Sequence, residues 1–199
     1  MIKNALFATA ISLVLLTPHI SQADTAFAQQ TASAAASQIG VTTGYDPAYV
    51  SLDYPHGDLP RRTGVCTDVV IRALRDAHGI DLQERVHRDM KANFASYPKN
   101  WGLKRPDPNI DHRRVPNLRR YFERQGASLP ISSDPSRFQT GDIVSWNLPG
   151  NLTHIGVVSA NKSTDGTPLI IHNIGSGTRE QDILFLFEIT GHYRLNEAP

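Results

Sequence analysis

The chain has 199 residues and carries 20 basic against 19 acidic side chains, a net charge of +1. That balance argues against nucleic acid as a partner, which needs a net basic surface. The length suits one domain with a real core and falls short of two, and the sequence contains no internal repeat.

The first element is a secretory leader, Met1 to Ala23. Lys3 precedes an apolar stretch from Ala5 to about Leu16, and Ser21 and Ala23 stand where a signal peptidase reads small residues. The stretch is too short to span a bilayer, and no later run approaches spanning length. Cleavage removes one Lys and no acid, leaving equal numbers of each charge. The expectation is an exported monomer, periplasmic or secreted, with no stable membrane insertion after cleavage.

Residues 24–38 are rich in Ala, Ser, Gln and Thr and read as a linker or a weak helix lying on the body. A single domain should occupy 39–199. From Thr43 to Pro60, Pro and Gly recur too often for a long helix, so turns and short extended pieces are expected. Val65, Val69, Val70, Ala73, Leu74 and Ala77 recur at helical spacing, which predicts a helix over 65–77 with Thr63 or Gly64 as cap and Gly79 as stop. A second helix is predicted over 82–94, with Asp81 and Glu84 forming a capping box and Leu82, Val86, Met90 and Phe94 facing the core. Residues 96–115 read as an irregular loop, and Pro116 opens a third helix that ends before Gly126. Four β-branched runs follow, at 141–146, 154–159, 169–174 and 187–194, separated by turn residues. They predict an antiparallel meander and an α+β fold.

Cys66 is the only cysteine. An exported chain with one thiol cannot use it for an internal disulfide, so it is either a small buried apolar residue or a reactive group. A place in the first turn of a helix favours the thiolate, because unpaired N–H groups and the helix dipole point there. A thiol nucleophile also needs a base. His154 opens a strand, and Gly156 on the same face leaves room for the cysteine helix or a substrate to approach. His172 sits inside an apolar run, where an imidazole without a partner is costly. If strands 154–159 and 169–174 are hairpin neighbours, the two imidazoles meet, one as base and one as orienter. A bulge would hand the orienting role to Asn173 instead.

A Gly-Val-Cys at a helix start, a Gly-Asp-Ile-Val strand, then His-Ile-Gly-Val-Val and a strand with a third polar residue resemble the papain-like superfamily of bacterial cell-wall cysteine peptidases and amidases, including the NlpC and CHAP branches. Tyr54-Pro-His-Gly-Asp58, Gly64-Val-Cys-Thr-Asp-Val-Val-Ile-Arg72 and Asn109-Ile-Asp-His-Arg-Arg-Val-Pro-Asn-Leu118 resemble, more closely, an uncharacterised family of exported bacterial proteins within it. The resemblance covers about 40–195. It implies an N-terminal helix bearing the cysteine, packed on an antiparallel sheet bearing the histidine. It also implies Cys66 as nucleophile, His154 as base and His172 as orienter. Residues 80–135 are a helical insertion relative to the minimal core. The NlpC branch has Asp before its cysteine and Ser-Gly after it. Here the neighbours are Val65, Thr67 and Asp68, which leaves the substrate class open.

Other groups read as cleft candidates are Tyr54 as an oxyanion donor, His56 and Asp58 before the cysteine helix, Asp68 beside it, and Arg113 and Arg114 as a fork for a peptide carboxylate. Trp146 borders the cleft or closes the core. The expected function is hydrolysis of an amide, in peptidoglycan or a peptide, as a stem-peptide endopeptidase or an N-acetylmuramoyl-L-alanine amidase. The alternative is a non-catalytic cell-wall binding or scaffold protein on the same fold. The eight histidines form no His-Glu-x-x-His motif, and there is no Cys-x-x-Cys pair, so no metal or other cofactor is expected.

Overall fold

The computed structural model describes residues 22–196, so the leader lies outside the described residues but for its last two. Among the described residues there are four α-helices: α1 Gln22–Ala36, α2 Cys66–His78, α3 Leu82–Asn93 and α4 Val115–Arg124. A parallel pair, β1 Gly44–Tyr45 and β2 Thr63–Gly64, precedes a six-stranded sheet. The sheet consists of β3 Ser128–Leu129, β4 Ile143–Leu148, β5 Leu152–Lys162, β6 Pro168–His172, β7 Arg179–Gln181 and β8 Glu188–Tyr193, in the order β3-β8-β4-β5-β6-β7. No helix among the described residues is long and apolar enough to cross a membrane.

The cysteine lies on the second helix of the structure, α2, which spans the predicted segment to within a residue. Its cap is Val65, because Thr63 and Gly64 are drawn into β2. Valine has no acceptor, and Asp68 supplies the local bond by accepting the Val65 N–H at 2.6 Å. Gly79 ends the helix in the left-handed region, at φ 65°. Asp81 caps α3 by accepting from the Gln83 N–H. Glu84 turns instead toward Arg88 at 3.5 Å, so the expected capping box does not close.

The sheet is buried on both faces, as its β-branched runs require. Ile143, Ile155, Val157, Ile171 and Tyr193 pack under the helices with Val69, Val70, Ala73, Leu74, Leu118 and Phe122. Val144, Trp146, Val158 and Ile170 alternate to the other face and are covered by Phe138, Ile183 and Leu184. Trp146 is fully buried there, with its Nε1–H donating to the Leu184 carbonyl at 2.9 Å.

One feature departs from the expected meander. Strand β7 follows β6 in order, but β8 then returns to the opposite edge of β4, and β3 joins it. A buried polar knot fixes that return. Asp142, in the turn before β4, meets His192 Nε2 at 2.7 Å and accepts from Arg194 Nε and Nη2 at 2.7 and 2.8 Å. Of the two readings of residues 24–38, linker or weak helix lying on the body, the helix is the one found, and it is packed. Phe27 stacks on His78 with centroids 3.7 Å apart, and Thr31, Ala32 and Ala35 are buried. The backbone of α1 lies so close to Gly141 that a Cβ there would stand 2.3 Å from the Ala28 carbonyl oxygen.

Candidate functional site

Cys66 is the first residue of α2 and is 5% exposed. The end of β6 explains what lies beside it. The Val158 N–H and carbonyl both bond toward β4, so alternation turns those of Ile155 and Val157 toward β6. Val157 finds its partner in Ile171, but β6 ends at His172, and the Ile155 N–H is left without a strand partner. The Cys66 sulfur takes that place, facing the N–H groups of Ile155, Thr67 and Cys66 itself. All three favour a thiolate. Burial outweighs them, and with Asp68 nearby it pushes the thiol up to about 12. The helix start therefore does not make a resting thiolate, contrary to the expectation from sequence, because the sulfur is desolvated.

His154 and His172 are brought together by the β5–β6 hairpin, His154 Nε2 lying 2.9 Å from His172 Nδ1. Both rings are buried, and burial holds His154 down to about 3 and His172 to about 4, so both are neutral at neutral pH. Gly156 permits this approach. A Cβ on it would lie 2.7 Å from Ile170 Cγ2 and 3.1 Å from His172 Cβ, so its space admits β6 rather than the cysteine helix or a substrate. His154 pairs across the sheet with Trp146 and shares that residue's face, with ring centroids 5.8 Å apart. Its side-chain hydrogen bond goes to His172, and none joins it to Cys66. The two residues are linked through the strand, since Ile155, whose N–H faces the sulfur, directly follows His154.

Cys66 opens onto a cleft of about 210 Å³ whose walls include Tyr45, Trp101, Arg113, Arg114 and Thr153. Most of one wall comes from the 101–116 segment, within the stretch read as an insertion. No group of three or more His, Cys, Asp or Glu side chains able to hold a metal ion occurs among the described residues.

A family model described as a domain of unknown function, DUF1287, matches residues 32–195. The chain belongs to the DUF1287 family. It is 60% identical over 163 residues to an uncharacterized protein, YijF, of Escherichia coli strain K12, covering 82% of this chain and 79% of that one. Among solved structures it is similar to an N-acetylmuramoyl-L-alanine amidase from Bacteroides uniformis, with a TM-score of 0.51 and 13% identity over 86% of this chain and 99% of the other. It also matches NlpC1 from Trichomonas vaginalis at 14% identity and a TM-score of 0.43, over 84% of this chain and 43% of that longer one. The amidase match shows that the DUF1287 chain has an amidase-type α+β fold, with helices packed on an antiparallel sheet.

Several polar residues read from the sequence as site candidates prove to hold the DUF1287 scaffold together. Asp68, 5% exposed at its side chain, accepts Arg113 Nε and Nη2 at 3.1 Å each, besides the Val65 N–H. Arg113 also donates through Nη1 and Nη2 to the Ala48 and Asp46 carbonyls, so both residues are engaged by the scaffold. Asn173 donates to the Gly44 and Gly64 carbonyls at 3.2 and 3.1 Å. It bolts the β1–β2 pair to the end of β6 and does not orient His154; His172 holds that position. Asp58 is engaged by the fully buried Arg72, and the His56 N–H donates to Asp81. Tyr54 packs edge-on against His87 of α3, outside the cleft.

The aromatic hydroxyl at the site belongs instead to Tyr45. Strand β1 pairs Tyr45 with Gly64, two residues before the cysteine. Burial, then the Cys66 and Asp68 charges, push the Tyr45 phenol up to about 12, so it keeps its proton. Gln181 was also missed. On β7 it lies close enough to His172 to favour the protonated ring, yet no hydrogen bond closes to the buried His172 Nε2. A short turn-rich strand gave no sequence signal for it. For Tyr45, the available hint of an extended segment was the next residue, Asp46, which precedes Pro47.

Proposed function

We propose that the protein is an exported cysteine hydrolase that cleaves an amide bond of peptidoglycan. The observation that carries this reading is the placement of the Cys66 sulfur, which lines a cleft and faces the N–H groups of Cys66, Thr67 and Ile155, the last directly following His154 of the hydrogen-bonded His154–His172 pair. The fold it shares with an N-acetylmuramoyl-L-alanine amidase supports the substrate class.

In this reading both partners are neutral at rest. With His154 Nε2–H donating to His172 Nδ1, the His154 Nδ1 lone pair is left to take the thiol proton. The sulfur attacks the amide carbonyl as that proton leaves, and the N–H cluster and the Tyr45 hydroxyl stabilise the oxyanion. The imidazolium returns the proton to the departing amine, and a water activated by His154 releases the acid. Because His154 and Cys66 are not hydrogen-bonded, attack requires the imidazole to close on the sulfur when substrate fills the cleft. That slack is also what a protein that binds cell wall without turnover would show.

Incubating the reduced protein with sacculi and identifying soluble products by mass spectrometry decides between the two. The expected result is an amide-cleavage product that disappears in Cys66→Ala. Absence of product, with muropeptide binding unchanged in Cys66→Ala, refutes the hydrolase and supports the scaffold. Detecting the protein in the periplasmic fraction tests its export.

A further inference from the structure

Two adjacent arginines line the cleft, and they differ in what remains of their bonding capacity. Arg113 is committed to Asp68 and two carbonyls, as above. Arg114 uses Nη1 on Asp111 at 3.1 Å, and its Nε and Nη2 make no hydrogen bond to protein among the described residues. Its guanidinium carbon lies over the Trp101 ring, 4.1 Å from the centroid. The ring contact holds the guanidinium over Trp101 while leaving Nε and Nη2 without a protein acceptor among the described residues. Trp101 is 38% exposed, which burial in a core does not explain. Asp111 is held from behind, its other oxygen accepting the Asp107 N–H at 2.6 Å, so the Arg114–Asp111 pair is anchored to the loop. The other cleft walls are uncharged: Tyr45, Val65, Ile110, Val115 and Thr153.

We infer that Arg114, oriented by Trp101, is a carboxylate-binding subsite of the Cys66 cleft, so that the peptide it admits is acidic. The inference rests on the reading of Cys66 as the reacting atom for the word substrate. The anion preference itself does not depend on turnover.

Alkylation of Cys66 in the intact protein tests it without knowledge of the substrate. Iodoacetate and iodoacetamide react alike, with sulfur displacing iodide to form a thioether, but only the first carries a carboxylate. The iodoacetate-to-iodoacetamide rate ratio should exceed that of a free thiol by about fivefold, the scale of one partly screened ion pair. It should fall to the free-thiol value in Arg114→Gln, survive in part in Arg114→Lys, and shrink as salt is raised on the native protein. A native ratio at the free-thiol value, or one unmoved by Arg114→Gln, overturns the inference. If the glutamine variant does not fold, the salt series carries the test, and a ratio independent of salt overturns it. If Cys66 resists both reagents, calorimetry of Cys66→Ala with muropeptides and with carboxyl-amidated muropeptides makes the same comparison, and equal or absent binding overturns it. An anion preference without product from sacculi removes the hydrolase and keeps the subsite. Product without a preference does the reverse.

Discussion

Asp68→Asn keeps the shape of the side chain and removes its charge. In the native protein this carboxylate meets three donors, the Val65 N–H at 2.6 Å and Arg113 Nε and Nη2 at 3.1 Å, with the two side chains 5% and 2% exposed. The amide keeps one acceptor and turns an NH2 toward a donor, leaving a buried guanidinium with only the Asp46 and Ala48 carbonyls. Losing one member of a buried pair costs about 3–5 kcal/mol, a large part of the 5–15 kcal/mol typical of a domain. The same change acts on the thiol in the opposite sense. Asp68 raises the Cys66 pKa, so its loss lowers it, and the unmatched Arg113 charge lowers it further. Urea unfolding should show the stability loss, and the pH dependence of thiolate absorbance should show the Cys66 transition displaced below its native position near 12. Arg113→Met should cost similar stability and move the thiol upward, since Asp68 is then unpaired. The double variant should be less unstable than the sum of the two singles. A cost under about 1 kcal/mol for Asp68→Asn, or an upward shift of the thiol, refutes the assignment of this pair as the brace of the cysteine turn.

Acid should destabilise the fold before its carboxylates titrate. Burial holds His112 and His154 at about 3 and His172 at about 4, whereas an unfolded His titrates near 6.5. Between those values the unfolded chain binds more protons, so this contribution is complete above about pH 6.5 and is lost as the pH falls toward 4. The slope reaches about 1.4 kcal/mol per pH unit for each histidine. Urea midpoints measured from pH 8 to 4.5 check it, and a flat profile between pH 7 and 5 counts against buried neutral imidazoles. Gly156→Ala should push β6 away and cost about 1–3 kcal/mol, with loss of the His154–His172 hydrogen bond in imidazole NMR spectra. An unchanged imidazole pattern in that variant shows that the glycine does not set their approach.

What was legible in the sequence follows from the range of the forces involved. The α2 and α3 stripes and the two-sided strands are local periodicities, and each produced its element. The hairpin that brings His154 to His172 could be read because β5 and β6 are joined by one short turn. The return of β8 could not, because its position depends on Asp142, His192 and Arg194, which meet across about fifty residues. Helix α1 reads only as linker or weak helix for another reason: apart from Phe27, its buried face is built from Thr31, Ala32 and Ala35, small side chains whose burial depends on a close backbone approach at Gly141. At the site, Tyr54 stood nearer to Cys66 in sequence, but strand pairing delivers Tyr45. Asp68, Arg113 and Asn173 read as substrate-binding or orienting groups from their polar chemistry. In the fold they satisfy one another and backbone groups that would otherwise be buried without partners.

That last point connects scaffold to chemistry. Strand β6 stops at His172, and the backbone donor it abandons on β5 becomes available to the sulfur. Asn173, the next residue, reaches back to the Gly64 carbonyl and so ties the strand end to the turn that presents Cys66. Asp68 and Arg113 tie the other side of that turn to the 101–116 segment, which walls the cleft. Cys66 is thus clamped between the sheet common to amidase-type folds and a segment of the 80–135 stretch. Changes in that segment can alter which substrate enters without disturbing the His154–His172 pair, whose approach is set on the far side of the turn by Gly156. Selectivity should therefore be sought in Trp101 and Arg114, and reactivity in the strand end.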